Sequence, residues 1–267
     1  MPDVTNAAAG KAETSNDAAN AGDRDELANP VWHALIGPQR HLAASRAGVD
    51  GGPSWFDPAV TIWHGAAELD AEGWQAMAAA VDPGAVVVVM RAEVSEPAEA
   101  DWKILGRRHL LQLIAPRVQP DSDSTGVSAS HASELIELGS EDVDDMLALT
   151  RLTEPGPFER RTIEMGRYLG VRREGRLVAM AGERLSLEGA TEISAVCTHP
   201  EALGQGLAAT LTMAVAKGIQ KRGKLAFLHV DQNNERALGL YGHLGFLPHQ
   251  ESHVIAACPK PRDGEAS

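Results

Sequence analysis

The sequence predicts an α+β fold with α/β-type layers, in which a mixed, twisted sheet carries helices on both faces. Three observations predict it. Apolar strand-like runs alternate with amphipathic helical runs through the second half of the chain. A strand pattern at 190–198 leads through a turn with two glycines, Gly204 and Gly206, into a helix that begins near Leu207. A second strand and helix, at 224–230 and 233–244, follow in the same order.

We expect five segments along the 267 residues. Residues 1–28 lack hydrophobic periodicity and predict a disordered tail, and 258–267 predicts a second flexible tail. An N-terminal α/β half is expected at 29–118. The polar, small-residue stretch at 119–131 is typical of a linker. The main domain is then expected at 132–257.

The elements of the N-terminal half follow from short patterns. Val31, Leu35 and Ile36 fall at helical spacing. A helix, a Pro-Gly turn and a buried strand at 85–90 are expected next, and a second apolar strand is stopped by Pro116.

In the main domain, turn and cap residues delimit the elements. Ser140 predicts the N-cap of a helix, and Glu174-Gly175 predicts a turn between two strands. Gly223 and Gly245 predict the ends of the last two helices, and Asn234 predicts an N-cap.

Composition excludes several classes of function. A formal net charge of -13 argues against general affinity for nucleic acid or an anionic membrane, and no apolar run approaches the length of a membrane span. No signal peptide is visible, and Cys197 and Cys258 form no disulfide framework. The ten histidines have no metal-ligand spacing. We expect a soluble cytoplasmic protein with no metal.

The two glycines before the helix indicate an anion site, because a helix N-terminus presents unpaired N–H groups. Residues 204–209 also match the dinucleotide fingerprint G-x-G-x-x-A, with Asp231 about twenty residues on. That alternative, an NAD(P)-binding oxidoreductase, is disfavoured because residues 199–203 separate the strand from the first glycine. An ordinary tight turn is the other alternative.

The ordered set of motifs resembles the GNAT acyltransferase superfamily over roughly residues 130–256. The turn at 201–206 is similar to its pyrophosphate loop, and a second cofactor motif is carried by Asn234, Ala237, Leu240, Tyr241, Leu244, Gly245 and Phe246. With "TEPGPF" and "LVAMAGER" upstream, the sequence looks closest to the branch that includes glycine N-acyltransferases. The resemblance also suggests that the N-terminal half is a degenerate GNAT-like half.

The resemblance implies acetyl-CoA, or a close acyl-CoA, as donor. It places the diphosphate on the backbone amides of the glycine turn, and the pantetheine arm on a strand at 196–198 that splays from 225–230. Glu201 departs from the family's Gln or Arg, and we expect its side chain to point to solvent. The expected cofactor residues are Ala195, Val196, Thr198, Leu203, Gly204, Gln205, Gly206, Leu207, Ala208, Asn234, Ala237 and Tyr241.

For the chemistry, the resemblance places Tyr241 near the sulfur, where its phenol could protonate the leaving thiolate. A core aromatic is the alternative. Glu192 and Glu183 are candidate bases, each with the alternative of an exposed strand-end carboxylate or of base catalysis through water. His229 lies in an apolar strand and predicts a core histidine.

Acceptor binding is expected where the two halves meet. Glu154 and Phe158, in the Pro/Gly-rich loop, are candidates for an amine anchor and an apolar wall, and a packing loop is the alternative. The expected activity is N-acetyl transfer to an amine of a small molecule or peptide, and a second copy of the chain, in a homodimer, is a candidate partner. A non-catalytic acyl-CoA-binding module is the second hypothesis.

Overall fold

The structure of the protein is a computed structural model, which describes residues 26–44, 52–117 and 134–261. Ten strands form one mixed sheet in the order β1-β2-β3-β10-β4-β9-β8-β7-β6-β5. The strands are β1 Ser54–Trp55, β2 Trp63–Gly65, β3 Val87–Arg91, β4 Trp102–Ile114, β5 Ile136–Leu138, β6 Tyr168–Arg173, β7 Arg176–Ser186, β8 Ala190–Thr198, β9 Leu225–Asp231 and β10 Leu247–Pro259. The helices are α1 Pro30–Ile36, α2 Ala71–Ala80, α3 Val143–Thr153, α4 Leu207–Lys221 and α5 Glu235–His243.

Helices cover both faces of this sheet, as the α+β prediction requires. Strand alternation sends Ala226 and Leu228 of β9 to the core under α4 and α5, and Phe227 to the core under α1. α3 packs on the same face as α1, over the β6–β8 part of the sheet. The glycine turn leads into α4, so it reaches the face of the sheet that α4 and α5 cover.

The N-terminal and main segments exchange strands. β4 lies between β9 and β10, while β10 lies between β3 and β4. The β4–β10 pairing is antiparallel and runs from Leu247 opposite Ile114 to Pro259 opposite Trp102. The two segments that the sequence separates at 119–131 therefore share one sheet, and the linker itself lies outside the described residues.

Both predicted tails include residues that belong to the folded part of the protein. Residues 1–25 lie outside the described part, but Leu27 is buried in the core, and its carbonyl accepts hydrogen bonds from Gln112 and Gln250. At the other end, β10 continues to Pro259, beyond the predicted boundary at 258. A single leucine in a polar context carries no periodicity, which is why sequence reasoning missed it.

Most local predictions in the main domain are confirmed. Asn234 caps α5 by accepting a hydrogen bond from the Ala237 amide, and the turn at Glu174-Gly175 joins β6 to β7. Gly223 and Gly245 follow α4 and α5 with φ angles of 78° and 80°. Ser140 was predicted as an N-cap and this is wrong, because a short 3-10 turn at Ser140–Asp142 precedes α3.

Two predictions for the N-terminal segment need a correction. Val31, Leu35 and Ile36 lie in α1 as their helical spacing predicts, but Ile36 is 44% exposed whereas Val31 and Leu35 are buried. The strand predicted at 85–90 is β3, which begins at Val87. Across the ranges described, no helix has both the length and the apolar character needed to cross a membrane.

We expect Leu27→Ala to lower the free energy of unfolding by about 2–5 kcal/mol, since it removes a fully buried side chain from a packed core. Leu152→Ala is the matched control, because Leu152 is 53% exposed on α3 and should change stability by less than about 0.5 kcal/mol. Urea denaturation of both variants measures the difference. Equal midpoints would show that residues 26–28 are not docked.

Candidate active site

The site begins where two parallel strands separate. β8 and β9 pair from Ala190 opposite Leu225 as far as Ile193 opposite Leu228, and within the described residues no later pair joins them. At this point β8 carries an extra residue relative to β7, and Ala195 has a φ of 52°. A non-glycine residue in the left-handed region bends the strand, so the two strands form a V-shaped opening.

A cleft of about 1400 Å³ extends from this opening. On one side it is lined by Ala195 and Val196 of β8 and by Asn234, Ala237 and Tyr241 of α5. It continues under the N-terminal segment, where Trp63 contributes to its wall. The structure therefore brings five of the predicted cofactor residues together in one cavity.

The remaining predicted cofactor residues lie outside the residues that line this cleft. They are Thr198 at the end of β8 and the turn residues Leu203, Gly204, Gln205, Gly206, Leu207 and Ala208. In the chain, the 3-10 turn at Pro200–Ala202 separates the end of β8 from the glycine turn.

The glycine turn has the backbone that its composition predicts. Gly204 and Gly206 have φ angles of 77° and 76°, and Gly206 occupies the N-cap of α4. A Cβ added to either glycine would meet no atom within 4 Å. The space around Gly206 is therefore open at the positive end of the α4 dipole, and this arrangement suits an anion.

Glu201 points away from this turn, as expected. Its side chain is 70% exposed and forms an ion pair with Arg176, which lowers the pKa of the Glu201 carboxyl. The carboxylate is thus held by a cation on β7, and the backbone of the turn remains accessible to a negative group.

Tyr241 lies on α5 with its ring 5.5 Å from that of Phe246. It is 7% exposed and contributes to the cleft wall. Burial raises the pKa of its phenol to about 12, so the hydroxyl keeps its proton at neutral pH. A proton donor is therefore present beside the opening.

Glu192 has a different environment from that of a free base. It is fully buried, and its two oxygens accept hydrogen bonds of 2.8 and 2.6 Å from Nε and Nη2 of Arg184. His229 Nδ1 lies 2.7 Å from the same carboxylate. Burial raises the pKa of Glu192, but Arg184 and His229 outweigh it and lower the pKa to about 2. A carboxylate so engaged is a weak proton acceptor.

This pair belongs to a row of buried polar side chains that crosses five adjacent strands. The polar row consists of Gln250 on β10, Gln112 on β4, His229 on β9, Glu192 on β8 and Arg184 on β7. The Gln112 amide nitrogen lies 3.0 Å from His229 Nε2. His229 is thus a satisfied core histidine, as predicted.

Glu183, the other candidate base, lies on the opposite face of β7 from Arg184. It is buried, accepts a hydrogen bond of 2.7 Å from Arg222, and does not line the cleft. Strand alternation places neighbouring residues on opposite faces, so Arg184 rather than Glu183 reaches the cavity.

The Pro/Gly-rich loop contributes differently from the prediction. Glu154 lines the cleft at the end of α3, with a φ of 47°, and Pro155 and Pro157 follow it along the wall. Phe158 is not among the lining residues, because its ring packs edge-to-face against Tyr168 at 5.7 Å. The apolar wall expected from Phe158 is provided instead by the prolines and by the N-terminal segment.

Sequence reasoning missed the contributions of Trp63 and Arg184. Trp63 stands in a three-residue strand with no periodic signal, and Arg184 directly follows a residue chosen as a candidate. Within the described residues, no group of three His, Cys, Asp or Glu side chains could hold a metal ion.

Comparison with known proteins gives consistent results. The FR47-like protein family matches residues 168–254, from β6 into β10. A GNAT-family protein from Novosphingobium aromaticivorans is 33% identical, with 88% of this chain and 99% of that chain covered and a TM-score of 0.75. No curated protein matches significantly.

Two further solved structures are more distant. A Drosophila protein is 14% identical, with 78% of this chain and 74% of that one covered and a TM-score of 0.52. A GCN5-related N-acetyltransferase from Kribbella flavida is 19% identical over 72% and 74% of the two chains, with a TM-score of 0.45.

We expect Glu192→Gln to destabilise the protein by about 3–5 kcal/mol, because it leaves the Arg184 charge buried without a partner. Glu201→Gln breaks an exposed pair with Arg176 and should leave the unfolding midpoint nearly unchanged. Denaturation at neutral pH compares the two.

The same variants give a test by pH. The pKa of Glu192 is depressed from 4.5 to about 2 in the folded protein, so its contribution is complete above pH 4.5 and is lost as the pH falls towards 2. The stability difference between wild type and Glu192→Gln should therefore shrink over that interval. A difference independent of pH would contradict the ion-pair assignment.

Proposed function

Because this chain belongs to the GNAT family, we propose that it is an N-acetyltransferase that moves the acetyl group of acetyl-CoA to an amine of a small molecule or peptide. The observation that carries the proposal is the opening between β8 and β9, with Tyr241 in the wall of its cleft and a glycine turn that follows β8 after the 3-10 turn at Pro200–Ala202. The motifs "TEPGPF" and "LVAMAGER" support a place near the glycine N-acyltransferase branch.

The residues present fit acetyl-CoA. Gly204 and Gly206 leave open a space that a Cβ would enter, and the amides at the start of α4 would hold a diphosphate there. The freed edge of β8 at 195–198 offers backbone groups to an amide-rich arm, and Asn234 and Ala237 lie across the opening. When bound, acetyl-CoA supplies an activated acyl group for transfer.

The protein's own groups then have distinct roles. Ala195 and Val196 have no register partner on β7 or β9 among the described residues, so their backbone N–H groups are candidates to polarise a carbonyl in the opening. Tyr241 holds a proton that it can donate to a departing thiolate. Since Glu192 and Glu183 are both ion-paired, we propose that the proton of the amine leaves through water in the cleft.

A non-catalytic acyl-CoA-binding module would need the same turn and opening. The position of Tyr241 in the cleft wall favours turnover, because binding alone does not require a buried phenol there. The NAD(P)-dependent alternative is not retained, since the chain belongs to the GNAT family and the 3-10 turn at Pro200–Ala202 separates β8 from the glycines.

The test of this function has two parts. Acetyl-CoA should raise the unfolding temperature and NAD(P) should not, since a ligand of the native state stabilises it by about 2.7 kcal/mol at 100 times its Kd. A panel of amines, amino acids and peptides is then screened for thiol release. Stabilisation without thiol release from any amine would favour the binding module.

Gly206→Val should weaken acetyl-CoA binding by at least tenfold, because the side chain enters the space next to the α4 amides and costs the charge-assisted hydrogen bonds made there. Gly84→Val is the matched control, since Gly84 has a φ of 82° and equally open surroundings but lies in the loop before β3. Both variants carry similar backbone strain, and calorimetry should show lost affinity only for Gly206→Val.

Tyr241→Phe should lower kcat on the order of 10²-fold with acetyl-CoA affinity within a few-fold, because general acid catalysis is worth about 10²–10⁴-fold. Tyr168→Phe is the control, since the Tyr168 hydroxyl is buried outside the cleft and has no partner among the described residues. Unchanged turnover by Tyr241→Phe, with chemistry rate-limiting, would make Tyr241 a core aromatic.

A further inference from the structure

The cleft is longer than the opening between β8 and β9. Its inner end passes under the N-terminal segment, where Ile62, Val88, Leu110, Val254 and Ala256 form apolar walls. None of these five side chains carries a hydrogen-bonding group, so they suit an apolar body of a ligand, although Arg107, Arg108 and His109 of β4 also line the cleft next to Leu110.

Within these apolar walls, Trp63 carries an unused hydrogen-bond donor. The residue is 4% exposed, lines the cleft, and its indole nitrogen has no partner among the described residues. An indole N–H can only donate, and a buried donor without an acceptor is unfavourable. Trp74 shows the ordinary arrangement in this protein, since its indole nitrogen donates to the Ser95 carbonyl at 2.7 Å.

Arg184 provides a second donor, over the face of the Trp63 ring. Its guanidinium carbon lies 5.4 Å from the centre of the Trp63 ring, and the residue also lines the cleft. Nε and Nη2 are both used by Glu192, and in the described ranges Nη1 has no hydrogen bond. Because Glu192 neutralises Arg184, this corner presents donors with little net charge, which does not suit an ammonium group.

We propose that Trp63 Nε1 and Arg184 Nη1 bind a carbonyl or carboxylate oxygen of the acceptor. The acceptor is then an amine whose apolar body carries such an oxygen, and its amino end reaches the opening between β8 and β9. This proposal rests on the proposed function, since it concerns the acceptor of the same reaction.

Trp63→Phe tests it, because the change removes the N–H and keeps an aromatic ring. The probes are phenylalanine amide, phenylalanine, and phenethylamine, which has the same body without the oxygen. Binding is measured by calorimetry on the protein with and without CoA. We expect Trp63→Phe to weaken the binding of phenylalanine amide or of phenylalanine about three- to tenfold and to leave the binding of phenethylamine unchanged. Comparing wild type with variant for each probe cancels the difference in amine basicity.

Trp74→Phe is the matched control. It breaks a satisfied hydrogen bond outside the cleft, so it should lower the unfolding temperature more than Trp63→Phe and leave the affinity of every probe unchanged. Arg184 is not varied, since its removal would leave Glu192 buried and unpaired.

Three outcomes would overturn the proposal: no binding of any probe to the wild type, an equal effect of Trp63→Phe on all three probes, or no effect on the two that carry an oxygen. The loss of affinity on Trp63→Phe is compared between phenylalanine and phenylalanine amide. A larger loss for phenylalanine indicates a carboxylate oxygen, and a larger loss for the amide indicates a neutral carbonyl. Failure of acetyl-CoA to bind would instead contradict the proposed function, whereas failure confined to the amine probes leaves that function standing.

Discussion

The polar row is the constraint on which the rest of the sheet depends. Arg184 and Glu192 are taken out of water together, and a buried charge is tolerated only when its partner and hydrogen bonds are in place. His229, Gln112 and Gln250 continue the row across β9, β4 and β10. Five strands must therefore keep one relative register, and a shift of any one of them would leave a buried polar group unpaired.

The same row joins the two segments of the chain. Gln112 and Gln250 both donate to the carbonyl of Leu27, and Gln39 donates to the backbone carbonyl of Arg184. Its position also fixes where the opening begins. Ile193, the residue after Glu192, is the last on β8 to pair with β9, and the bend at Ala195 follows two residues later. β8 and β9 are thus paired with each other as far as Ile193, and among the described residues they have no pairing with each other beyond it.

The features that the sequence predicts are those that depend on residues close together in the chain, and the features that it misses depend on residues of other elements. The glycine turn, the Asn234 cap and the α5 position of Tyr241 depend on residues a few positions apart, and the structure has them as expected. The environments of Glu183 and Glu192 depend on Arg222 and Arg184, which lie on other elements. A carboxylate's partner cannot be identified from spacing, because the register of β7 with β8 and the position of Arg222 at the end of α4 decide which cation is nearby.

The predicted acceptor residues illustrate the same limit. Glu154 and Phe158 lie in one loop, but the end of α3 turns the first towards the cleft and Tyr168 draws the second into the core. Trp63 reaches the cavity only because β10 joins β3 to β4 and brings the β1–β3 part of the sheet over the site. No local pattern in the N-terminal segment encodes that placement.

The glycine turn and the inner end of the cleft offer different groups to a ligand, backbone at the first and side chains at the second. This difference affects specificity. The glycine turn presents its backbone to open space, and the neighbouring Glu201 is paired with Arg176, so the proposed diphosphate site depends little on side chains. The inner end is lined by side chains of the N-terminal segment, such as Trp63, and of β7 and β10, such as Arg184 and Val254, and these would shape the proposed acceptor pocket. Under the proposed function, substitutions around Trp63 would alter which amine is accepted while the glycine turn continues to hold the donor.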